Sequence, residues 1–169
     1  MSLPPTPVSD LDRSIVTLGG RRLVFHCHHY NVFLQRSIED GLGERAPALL
    51  TNAAMEAARG ALVGLDPAGS PAAVIARAAA ILADQGFGRA DVTALGPWGG
   101  TAVMDRSHYA VGWLAKWGRR ATPCCFFPAG WLAGAVAVAG GHTPERVAVR
   151  EVSCLAAGAE RCSFLVEVW

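Results

Sequence analysis

Glu151-Val-Ser-Cys154-Leu-Ala-Ala-Gly158-Ala-Glu-Arg-Cys162 is the stretch on which the fold turns. Residues 146–154 and 162–168 alternate apolar and polar side chains, as half-buried strands do. Between them, 156–160 is rich in small residues and contains a glycine, which predicts a C-terminal hairpin. The turn carries Cys162 back toward Cys154, with Glu151 one step before it. One more thiolate would complete a tetrahedral set of sulfur and carboxylate donors, the kind zinc prefers. Cys124 and Cys125 stand at the start of an apolar segment, where a helix N-terminus favours a thiolate. Three thiolates, one carboxylate and a divalent ion leave a charge of about −2, so outlying donors are expected, with Arg150 and Arg161 the nearest in sequence. Spacing alone leaves the bland reading open, because free cysteines are commonly buried as small apolar residues.

Working outward, 126–140 reads as an apolar helix ended by glycines. Residues 108–117 read as a helix with Trp113 and Trp117 four apart. Two strands, 91–95 and 101–105, flank the turn 96–100. Ser70 then Pro71 is a helix start, and that helix runs to Gln85 and stops at Gly86. Residues 66–69 are a turn. Residues 44–65 form a helix with a small-residue face of Ala46, Leu49, Leu50, Ala53, Ala57 and Ala61. Residues 31–42 form another helix, and 22–30 a short strand ending in a polar cluster. Helices come first, followed by strands with two inserted helices. This order predicts one α+β domain with helices packed on one face of an antiparallel sheet. The expected organisation is a flexible leader over 1–12 and a single domain over 13–169.

Length and composition bound the function. At 169 residues and 51% hydrophobic, the chain buries a core without staples. Fifteen basic residues against 14 acidic give a net charge of +1, which excludes the strongly basic face that nucleic acid or an anionic membrane surface requires. The polar, proline-containing N-terminus lacks the pattern of a signal peptide, so a cytoplasmic location is expected. Residues 124–141 carry no charge, but their glycines and alanines read as a buried helix rather than a membrane span. Five cysteines in a reducing compartment point to metal ligation or chemistry rather than disulfides.

Cys125-Phe-Phe-Pro-Ala-Gly130-Trp131-Leu-Ala-Gly134, followed by Glu151, Cys154, Gly158, Cys162 and Phe164, resembles the 4-vinyl-reductase-type, hydrocarbon-binding domain family. That family includes the sensor domain of phenol- and xylene-responsive activators. The resemblance implies the fold of haem nitric-oxide sensors and vesicle-tethering (TRAPP) subunits. It implies a structural zinc on Cys125, Glu151, Cys154 and Cys162, with Cys124 as a substitute because the interval from Cys125 to Glu151 is slightly long. It implies a hydrophobic, aromatic or tetrapyrrole-type ligand in an internal pocket. Polar groups near His108 and Trp131 would recognise a hydroxyl.

Phe25-His26-Cys27-His28-His29-Tyr30 matches no motif of that family. On a strand, His26 and His28 would share one face and Cys27 and His29 the other. Once a helix begins, His29 and Phe33 align. The readings are pocket lining, a second metal or tetrapyrrole ligand set, a Cys27–His28 nucleophile pair, or a polar strand end. The candidate ligand-binding residues are therefore His26, His28, His29, Tyr30, Phe33, His108, Trp113 and Trp131. Without a G-x-G-x-x-G or P-loop fingerprint, a binding protein is expected over a stand-alone reductase. An assembly subunit is the third reading, a homodimer built through the small-residue helix.

Overall fold

In the computed structural model, residues 6–24, 27–63 and 70–169 are described. His26, the turn expected over 66–69, the last residues of the 44–65 helix and the first five of the leader lie outside them. The elements are β1 (Pro7–Asp10), β2 (Ile15–Leu18), β3 (Arg21–Leu23), α1 (His28–Leu42), α2 (Ala46–Leu62), α3 (Pro71–Asp84), β4 (Leu95–Gly96), β5 (Gly99–Met104), α4 (His108–Trp117), α5 (Phe126–Gly140), β6 (Val147–Ser153) and β7 (Cys162–Val168).

The main sheet is antiparallel in the order β4-β5-β7-β6. Its inner face follows from period-two alternation: Ala102 and Met104 on β5, and Cys162, Phe164 and Val166 on β7, are all buried. Directly paired residues share a face, so Met104 beside Cys162 and Glu151 beside Phe164 also point inward. Helices α5 and α3 pack on the sheet, and α2 packs on α5. This is the α+β arrangement expected from the element order.

Helix α5 is buried along its whole middle, from Pro128 to Ala137, because it lies between the sheet and α2. It has no polar face, and no described helix is long and apolar enough to cross a membrane. Gly130 and Gly134 permit its close approach to α2. A Cβ on Gly130 would sit 2.0 Å from the Thr51 carbonyl oxygen, and one on Gly134 would sit 2.6 Å from that of Met55. Helix α2 buries Ala46, Ala54, Met55, Ala58 and Leu62. That face is rotated by about one residue from the expected one, and it leaves Leu49, Ala53 and Ala57 exposed. Helix α3 begins as its sequence indicates: the Ser70 hydroxyl accepts from the Ala73 N–H at 3.3 Å, and Pro71 follows.

Two expectations change at the N-terminus. Residues 7–10, read as loose leader, form β1 and pair with β2, which pairs with β3 in a separate three-stranded meander. The strand read over 22–30 ends at Leu23, and α1 starts at His28. His28 and His29 therefore do not alternate on a strand.

Candidate metal centre and ligand cavity

The ligand atoms of Cys125, Glu151, Cys154 and Cys162 all lie within 4.8 Å of one another. A different local device places each one. Glu151 and Cys154 are three apart, an odd interval that puts side chains on opposite faces of a regular strand. A β-bulge between Glu151 and Ser153 inserts the extra step that turns both inward. Cys154 then opens a tight turn in which its carbonyl accepts from the Ala157 and Ala159 N–H groups. Gly158, at φ 96°, takes the left-handed conformation that returns the chain to Cys162. Cys125 precedes the first residue of α5, and its N–H donates to Glu151 Oε2 at 2.7 Å.

The geometry suits a tetrahedral ion. Arms of about 2.3 Å from zinc to sulfur require sulfur–sulfur edges of about 3.8 Å. Cys125 Sγ lies 3.5 Å from Cys162 Sγ and 4.0 Å from Cys154 Sγ. Glu151 leaves Oε1 buried without a partner, the position a cation would fill. Burial, and then the Cys154 sulfur, push the Glu151 carboxyl up to about 8. Hydrogen bonds from the thiols of Cys124, Cys125 and Cys162 make Cys154 the readily ionised member. Four acidic donors crowd a dry space that one divalent ion would neutralise. Cys124 Sγ approaches Cys154 at 3.9 Å but stands outside the converging four, so Cys125 is the residue in the ligand position.

The expected outlying donors are different ones. Arg150 and Arg161 are exposed. The guanidinium near the cluster belongs to Arg120, whose charge interacts with Cys124 and Cys154. Glu39 holds it at 2.7 Å, and the Trp113 ring lies beneath it at 4.0 Å from the ring centroid. The Leu155 N–H donates to Cys162 Sγ. Ser107, fully buried at the start of α4, does not cap its helix with its side chain; its hydroxyl lies 3.1 Å from Cys125 Sγ. Neither Ser107 nor Arg120 carries a motif, since both reach the centre through tertiary packing.

Beside this centre lies an apolar cavity of about 260 Å³ among α1, α2, α4 and α5. Leu34, Leu50, Phe87, Tyr109 and Phe127 wall it, with Asn31 and Gln35 as polar groups. Burial holds the Tyr109 phenol well above its usual range, so it stays a neutral hydroxyl. Gln35 is already committed, donating to Glu39 and to the Cys124 carbonyl. A larger cleft of about 950 Å³ reaches Glu151, but charged Arg36, Glu39, Asp40, Glu44 and Arg120 rim it.

The expected ligand residues fall elsewhere. Trp131 is buried and donates its Nε1–H to the Ala78 carbonyl at 2.9 Å, so that donor is used inside the core. Trp113 is buried under Arg36 and Arg120. Phe33 is half exposed and meets the Trp117 ring and the Lys116 ammonium; Tyr30 is also half exposed. His29 is exposed, and its ring packs edge-on to His28. His28 and His108 face each other, Nδ1 to Nδ1, at 3.2 Å. Burial, and secondarily His28, lower the His108 pKa to about 4. Among the described residues, Cys27 is exposed and makes no hydrogen bond to a histidine, so the nucleophile pair does not form.

Comparison with known proteins agrees with the C-terminal reading. The family model of the 4-vinyl-reductase domain matches residues 113–168, the segment holding Cys125, Glu151, Cys154 and Cys162. The resemblance read from those residues therefore holds. Among solved structures, the fold is similar to the phenol-responsive sensory domain of the transcription activator PoxR, crystallised with phenol. The two are 17% identical with a TM-score of 0.78, over 96% of this chain and 84% of that one. It is also similar to a vinyl-4-reductase family protein from Methanocaldococcus jannaschii, 16% identical with a TM-score of 0.57, over 87% and 83%. No curated protein matches the sequence.

Proposed function

We propose that the chain is a small-molecule binding domain that holds a compact aromatic or other hydrophobic molecule in the cavity among α1, α2, α4 and α5. A structural zinc on Cys125, Glu151, Cys154 and Cys162 ties the C-terminal hairpin to α5. The carrying observation is the aromatic wall of Phe87, Tyr109 and Phe127 around a cavity of about 260 Å³. A dry apolar cavity of about 150 Å³ is known to hold benzene, so one aromatic ring fits with room for a substituent. A tetrapyrrole is far larger, which favours the smaller class. The Tyr109 hydroxyl and Asn31 supply the polar contacts that such sites use for orientation. The phenol-responsive sensory domain shares the fold, which supports the same ligand class.

Zinc held by four protein ligands has no open position, so it would act as a staple and carry out no reaction. The chain's own residues prepare for it: Arg120 offsets the charge, and Ser107 and the Leu155 N–H are placed to donate to sulfur.

Isothermal titration with phenol, toluene and naphthalene, paired with native mass spectrometry for metal, tests both parts. One zinc per chain and binding of at least one ring compound are expected. Leu50→Trp, which fills the cavity from α2, should remove ligand binding and keep the metal. Binding that survives this filling, or the absence of binding across the panel, defeats the reading.

A further inference from the structure

The histidine cluster is not absorbed by the binding function. His28 opens α1 and His108 opens α4. Their rings are held from both sides. Gly112 on α4 gives space to Val32 and to the His28 ring, whose Cε1 and Nε2 would lie 3.6 Å from a Cβ there. The His108 N–H donates to the Phe87 carbonyl at 2.9 Å, and its ring stands edge-on to Phe87 and Tyr109. His108 Nε2 is buried, which leaves Nδ1 as the nitrogen turned toward His28. The His28 side is exposed, so water can complete a coordination shell.

We propose that His28 and His108 form a two-imidazole chelate for a divalent transition ion, separate from the cysteine centre. With metal–nitrogen bonds of about 2.0–2.1 Å, nitrogens 3.2 Å apart subtend about 100° at the ion. That angle lies between square-planar and tetrahedral values, and both shapes are common for imidazole-bound ions. The imidazole–imidazole hydrogen bond is the ion-free form of the same site. Two neutral imidazoles without a thiolate favour copper(II) over the other first-row divalent ions, by the usual order of affinities. The ion would join α1 to α4 within one helical turn of Asn31 and beside Tyr109, two residues of the cavity wall.

Copper(II) is titrated into the purified full chain after zinc has been supplied to saturation, with electron paramagnetic resonance and metal analysis as readouts. One copper with nitrogen hyperfine structure is expected. His28→Gln and His108→Gln should each weaken it by about tenfold or more. His29→Gln and Cys27→Ser should leave it unchanged. Since His108 is partly buried, the exposed His28→Gln variant decides the question if His108→Gln fails to fold. The proposal is overturned by the absence of a copper ion beyond zinc saturation. Copper binding at parental affinity in His28→Gln, or binding lost in Cys27→Ser, overturns it equally.

Discussion

Glu151 shows how much one side chain depends on its partner. Its carboxylate accepts the Cys125 N–H with one oxygen and leaves the other buried and unpaired. Removing a thiolate from such a set should remove the ion. Cys154→Ser is expected to purify without zinc, whereas Cys124→Ser should keep one zinc per chain, both read by native mass spectrometry. Zinc retained in the first variant, or lost from the second, would show that the ligand set is wrong. The spacing of Glu151, Cys154 and Cys162 makes three of these positions legible, because a hairpin returns its ends to one place. The choice between Cys124 and Cys125 is not legible from spacing, since adjacent residues at a helix start differ only in the direction the backbone gives them. Ser107 and Arg120 are hidden for a related reason, as they approach from other elements. His108 gives a pH dependence with a definite sign. Its folded pKa of about 4 lies below the unfolded value of 6.5. Above pH 6.5 neither state is protonated there, and the histidine adds no pH slope. As pH falls toward 4, the unfolded chain takes up a proton that the fold refuses, so stability drops. Urea midpoints measured across that window should fall, and His108→Gln should flatten the decline.

At the scale of elements, α2 and α5 depend on glycines that let one backbone meet another. Gly130→Ala puts a methyl 2.0 Å from the Thr51 carbonyl oxygen, where neither backbone can yield cheaply. Such overpacking costs about 1–3 kcal/mol, and a urea melt should show it as a lowered midpoint with an unchanged slope. Gly60→Ala on α2, where nothing lies within 4 Å, should match or exceed the parent. Helix α5 is readable because uniformly apolar sequence of this length has to be buried. The face of α2 differs from the expected one by about one residue because alanines fill several of its faces, and composition then says little about which one meets α5. Strands β1 and β2 are hard to read because they are only four residues each and β1 is exposed throughout; they join through a tight turn with Ser14 at φ 53°. Short strands with mixed polarity announce themselves only through their pairing.

Across the whole molecule, these elements do not share stability evenly. The N-terminal meander makes few contacts beyond itself, whereas β5, β6 and β7 pack under α5 and close around the cysteine cluster. A staple at that cluster joins residues 125, 151, 154 and 162, and it should stabilise only what those residues hold together. Native-state hydrogen exchange separates the two regions, because each amide reports the smallest opening that exposes it. With zinc bound, the amides of β6, β7 and the first turn of α5 should be among the slowest. Chelation of the metal should speed these amides while leaving those of β2 at their original rate. If β2 accelerated in step with β7, the meander and the body would be opening as one unit, and the staple would have to act on the whole chain. If no amide near Cys162 changed, the cluster would contribute nothing to the fold, and its convergence would need another explanation.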